Sequence, residues 1–312
     1  MNFSVYLTLI LSLLLAITGP VAARWLAPAV ASGVLAAAAL ISAAGSTWAM
    51  LLLAATLLDR TPVVREQAAA RGIHIPVPVP GLMGAAGLAA LSIALYRTVL
   101  VVRQRRAVIS ELRRVCLLCG GQPADQRGDI ALVVAPTAEP DAIAVPGAWG
   151  RGGQILVSLG MLQALDAPGR RALLAHERSH LQHHHYWHRA AAELAAALNP
   201  LLIPIREATA FLVERRADEY AATVLGDRAA TAQALAHAAL AAAGEGAGPT
   251  ASVALSYQRL QVSRRVAALT AAPPPERRLP GVALLLLGAL TAVCALDATL
   301  SFVRLVHPLV PT

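Results

Sequence analysis

The chain has 312 residues, of which 57% are hydrophobic and only 14% charged. This composition excludes an ordinary soluble domain and points to the membrane class. The net charge is +8 and the sequence contains no lysine, so the basic charge is all arginine. The arginines flank apolar runs and form no stripe interleaved with aromatics, which excludes direct nucleic-acid binding.

Four uncharged or nearly uncharged runs set the organisation: residues 3–23, 31–58, 81–102 and 281–303, the last carrying only Asp297. Each reaches the roughly 20 residues that a helix needs to cross the hydrocarbon of a bilayer. The first run ends in PVAARW, where small residues at Val21 and Ala23 suit a signal-peptidase site. It lacks the basic leader such a peptide carries, so an uncleaved anchor is expected. Between the second and third runs, IHIPVPVPG has alternating prolines that favour an extended link. Asp297 lies near a helix end beside Arg304, and snorkelling to the interface is expected for it.

Arginines fix the expected orientation. Arg103, Arg105, Arg106, Arg113 and Arg114 follow the third run, Arg277 and Arg278 precede the fourth, and Arg24 follows the first. All lie on one side if both termini are external and residues 103–280 are cytoplasmic. The expected division is therefore a membrane segment 1–102, a central domain 103–280 and a membrane segment with a short tail 281–312.

The central domain opens on CLLC, Cys116 to Cys119, read as two thiols on a helix end before Gly120 and Gly121. Three cysteines build no disulfide framework, which fits a reducing compartment. DIALVVAP, DAIAVPG and GQILVSLG then read as short strands. QILVS is expected to offer an edge to which an extended substrate adds. Asp166 suits an N-cap and Pro168 the first turn of the helix that follows. Ala190 to Val213 is apolar, but Glu193, Pro200, Pro204, Arg206 and Glu207 argue for a bent helical hairpin near the membrane rather than a fifth span.

HERSHLQHHHYWH, His176 to His188, holds six of the nine histidines. Read as one helix, it offers three pairs at a spacing of four: His176/His180, His180/His184 and His184/His188. Only the first has a carboxylate, Glu177, placed to reach a water on the same ion, which is the H-E-x-x-H arrangement of zinc metallopeptidases. His183 sits about 10 Å up the axis from His176 and cannot share its ion. His183, His184, His185 and His188 are read as a polar extension of the helix. A third ligand must come from downstream, where the acids are Glu193, Glu207, Glu214 and Glu219. Glu193 lies too far along the same helix to bend back. In LVERRADEYAATVLG, Glu214 and Asp218 share a helical face. Glu214 could therefore ligate while Asp218 hydrogen-bonds a ligand histidine from behind.

H-E-x-x-H followed by E-x-x-A-D resembles the gluzincin membrane peptidases. NPLLIPIREATAFLVERRADEYA and the lead-in AVPG with GGQILVSLGMLQAL are similar to the BlaR/MecR antirepressor metallopeptidase family. So is the layout of three membrane helices, a cytosolic domain and a fourth helix. The resemblance covers roughly residues 100–280. It implies one Zn²⁺ per chain held by His176, His180 and Glu214, with Glu177 as general base. The fold it implies is mainly α: a multi-pass membrane protein with a zincin-like α+β metallopeptidase domain between its third and fourth transmembrane helices. The implied function is a membrane zinc endopeptidase cleaving a protein substrate, a cytosolic repressor in that family, with the lipid bilayer as its other partner. BlaR/MecR receptors carry an external penicillin-binding sensor after the fourth helix and this chain ends at Thr312, so beta-lactam sensing is not expected. E-R-R-A-D is shared with HtpX and CAAX-prenyl-protease relatives, so an HtpX-like quality-control peptidase is the alternative within the chemistry. Outside it stands a non-catalytic, His-rich metal-binding membrane protein taking several ions, or a signalling scaffold without activity.

Overall fold

The computed structural model describes residues 2–57, 61, 62, 66, 69, 70, 80–121, 130–147, 152–243, 249–272, 277 and 279–306. The expected extended link lies outside these apart from Pro80 and Gly81, and so does the glycine-rich stretch 244–248. Two compact units emerge, one from Met1–Arg103, Ala190–Thr209 and Glu276–Thr312, the other from Gln104–Arg189 and Ala210–Pro275.

The first unit contains helices α1 (Asn2–Ala22) and α2 (Pro28–Ala55), the first part of α3 (Gly81–Leu118), and α10 (Leu279–Val306). These four are long and apolar enough to cross a membrane. The third runs past the expected boundary at residue 102 for 38 residues in all. Its arginine-rich part continues the same helix because nothing between Leu100 and Leu118 is a glycine or proline. Small residues set the packing of α2 on α10. A methyl at Gly45 would meet the Thr291 carbonyl oxygen at 3.2 Å, and one at Gly288 the Ala38 Cα at 3.3 Å. In lipid, where tails are as apolar as leucine, such close approach is what holds helices together. Two buried polar pairs bridge helices: Ser12 Oγ with Ser42 Oγ at 2.8 Å, and Asn199 Nδ2 donating to Ser46 Oγ at 3.0 Å. Asp297 accepts a hydrogen bond from the Ser4 hydroxyl.

Asn199 sits at the bend of a helical hairpin. Helix α6 (His185–Leu198) ends there, the Asn199 side chain accepts from the Leu201 N–H at 3.1 Å, and a 3₁₀ turn (Pro200–Leu202) leads into α7 (Ile203–Leu225). Pro200 and Pro204 end the one helix and start the other, which is why this apolar stretch bends.

The second unit is built on a sheet of β1 (Ile130–Ala135), β2 (Ala142–Val145) and β3 (Gly153–Ser158) in the order β1-β3-β2. β3 runs parallel to β1 and antiparallel to β2. QILVS is thus the centre of the sheet, not an edge; both its sides are taken, and among the described residues β1 and β2 are the outer strands. Gln154 to Ser158 are all buried, and Ile155, Leu156 and Val157 run without the polar alternation of a half-exposed strand because both faces are covered. Cys116, Val133, Val145 and Leu156 form one cluster, and Val157, Met161 and Leu165 another. Val157 is fully buried, and burial of each such side chain stabilises by roughly 1.5–3 kcal/mol.

A short helix α4 (Leu159–Ala164) leads to α5 (Ala167–Gln182), capped by Asp166, whose Oδ1 accepts from the Gly169 N–H at 2.8 Å. α5 does not continue through the histidines as the spacing suggests. It ends at Gln182, His184 takes a left-handed φ of 53°, and α6 begins at His185. Of the three pairs, His176/His180 alone lies on one uninterrupted helix. Helices α8 (Arg228–Ala243) and α9 (Pro249–Thr270) complete the unit.

Candidate metal centre

Helix α5 carries His176, Glu177 and His180, and α7 carries Glu214 and Asp218, again one turn apart. His176 Nε2 lies 3.2 Å from His180 Nε2 and 3.4 Å from Glu214 Oε2, while His180 Nε2 lies 3.8 Å from Glu214 Oε1. Among the described residues, these three form the one cluster whose donor atoms converge as a metal site requires. The separations also have the right size. Ligands about 2.1 Å from a tetrahedral zinc stand about 3.4 Å from one another. Glu193, Glu207 and Glu219 are not in the cluster: Glu207 lies beside Arg206 at 3.5 Å, and Glu219 is engaged by Arg228.

Each ring is held from behind. His176 Nδ1 is 2.9 Å from Asp218 Oδ1, so Nε2 faces the cluster. Arg265 of α9 grips Asp218 with two hydrogen bonds, Nε to Oδ2 at 2.7 Å and Nη2 to Oδ1 at 2.6 Å, and its Nη1 reaches Glu214 Oε2 at 3.3 Å. Arg189 approaches Glu214 Oε1 at 3.4 Å from the exposed side. His180 Nδ1 is 3.1 Å from His185 Nδ1. His183 turns away, its Nδ1 3.1 Å from the Ser179 carbonyl and its ring edge-on to Tyr220.

The electrostatics differ for each group. Burial works against a charge on His176, but the hydrogen bonds to Asp218 and Glu214 outweigh it and raise its pKa to about 10 without metal. Burial dominates for His180, lowering it to about 4, so this ring is neutral. Burial also raises Glu177, and with Glu214 nearby it reaches about 7 despite His176; the Ala144 N–H hydrogen-bonds its carboxylate. Glu214 and Asp218 are opposed by burial yet held well ionised, the first chiefly by the histidines and the second chiefly by Arg265. The result is a buried carboxylate poised near neutrality beside a two-imidazole, one-carboxylate donor set, the combination that metal-assisted hydrolysis uses.

Arg265, Arg189 and His185 were not legible in the sequence. Arg265 is 47 residues from Asp218, and no spacing rule links them. His185 reaches His180 only because the helix breaks at His184, where no glycine or proline signals an end.

The profile of peptidase family M48 matches residues 104–283. No curated protein and no solved structure matches the chain. With more than half of its length matched, the chain belongs to peptidase family M48, a family of metallopeptidases that are generally zinc-dependent.

Proposed function

We propose that this M48 peptidase is an integral-membrane zinc endopeptidase with His176, His180 and Glu214 as the ligands. The observation that carries the reading is the convergence of these three donors within 4.8 Å beside Glu177. When bound, zinc supplies Lewis-acid polarisation of the peptide carbonyl and acidifies water. The chain's own residues do the rest. Asp218 holds His176 with Nε2 forward, and Arg265 holds Asp218. Glu177, fixed by the Ala144 N–H, takes the proton of the attacking water and gives it to the leaving amine.

The membrane helices and the arginines beside them support a cytoplasmic catalytic segment, 103–280, between membrane segments 1–102 and 281–312, with both termini external. The BlaR/MecR-like sequence around the second ligand helix favours a regulatory, antirepressor-like substrate in the cytosol over the quality-control role of HtpX-like relatives. A His-rich metal store is the competing reading, and it requires several ions per chain.

Glu177→Gln tests the proposal. It is expected to retain one zinc per chain by mass spectrometry while losing proteolysis by a factor of 10² or more, about the general-base contribution. Comparison of cellular protein fragments with those of the wild type then identifies the substrate. Equal cleavage by the variant removes the mechanism, and several tight ions per chain would favour the store.

A further inference from the structure

Resting on that reading, we infer that His185 is a positioning residue: its bare Nδ1 accepts the Nδ1 proton of His180 and so fixes His180 in the tautomer that presents Nε2 to the metal. The two Nδ1 atoms are 3.1 Å apart, and a single proton must lie between them. If His180 carries it, His180 Nε2 is a free lone pair facing His176 and Glu214. If His185 carries it, the neutral His180 ring must place its own proton on Nε2, where it blocks coordination. The choice is therefore made by which nitrogen of His185 is protonated.

The surroundings of His185 bear on that choice. The side chain is fully buried, and its Nε2 has no hydrogen-bonding partner among the described residues. An unpaired buried N–H is tolerated only where something requires it. Here the requirement is an acceptor at Nδ1. His183 stacks on the ring at a 5.7 Å centroid distance with planes 22° apart, which holds the ring in register with His180. The two ligand rings are thus backed differently, His176 by a carboxylate anchored on Arg265 and His180 by a neutral imidazole. The break at His184 brings the second backing group into place.

The test compares zinc affinity of the detergent-solubilised full chain by chelator competition, so that it does not depend on turnover. His185→Asn puts an acceptor oxygen where Nδ1 stands and is expected to bind zinc within a few-fold of wild type. His185→Gln puts its amide where Nε2 stands, and it should bind about 10–100-fold more weakly, the usual effect of losing a group that orients a ligand. His185→Ala should match Gln or fall below it, and if it does not fold, the Asn–Gln comparison decides. Equal affinities for Asn and Gln, or Gln binding as tightly as wild type, overturn the inference and leave the peptidase reading intact. A wild-type chain that binds no zinc overturns both.

Discussion

At the level of single residues, the site contrasts two histidines one turn apart. In the metal-free protein His176 keeps a proton to about pH 10, whereas His180 loses its proton near 4. Zinc needs both rings neutral, so it must displace the His176 proton and none from His180. The proton is bound below the raised pKa, and affinity must therefore climb as pH rises. Between about pH 7.5 and 9, above the range where Glu177 titrates, the apparent zinc affinity is expected to increase roughly tenfold per unit. A flat profile in competition titrations would mean that His176 is already neutral. The neighbour that holds its proton, Asp218, was readable as a partner because Glu214 and Asp218 share one helical face. Its own clamp, Arg265, was not, since a contact between α7 and α9 leaves no mark in local spacing.

At the level of elements, the strands and the helix start were readable from alternation, punctuation and the Asp166 cap, all of which are local effects. Which strand sits in the middle was not, because strand order is decided by pairing far along the chain. β3 takes the centre by pairing with both β1 and β2, and the apolar run Ile155 to Val157 is the one feature of its sequence that fits a covered strand. The helix break failed to show for a different reason. His184 adopts a left-handed backbone, which is uncommon outside glycine but open to histidine, and no residue at or beside it announces that choice. Among the long apolar helices, α2 and α10 touch through Gly45 and Gly288. Gly45→Leu must push against the Thr291 backbone, which cannot rotate aside, and should lower stability by about 1–3 kcal/mol. Thermal melting in detergent measures this, and an unchanged midpoint would mean that the two helices part there without cost.

At the level of the whole molecule, the apolar composition that pointed to the membrane class is concentrated in long helices. Four helices of suitable length and apolarity are present, with exposed Leu82, Leu95, Leu286 and Val293 on their outer faces. The protein is expected to stay with membranes through an alkaline carbonate wash and to need detergent for release; release by carbonate alone would exclude spanning. The histidine run has one more consequence, for handling. On paper it looks like a purification tag, yet the rings at 176, 180 and 185 are occupied with one another and with acids, and only His184 is well exposed. Immobilised nickel should therefore retain the native chain weakly and the urea-unfolded chain strongly, which makes column retention a simple gauge of whether a preparation is still folded.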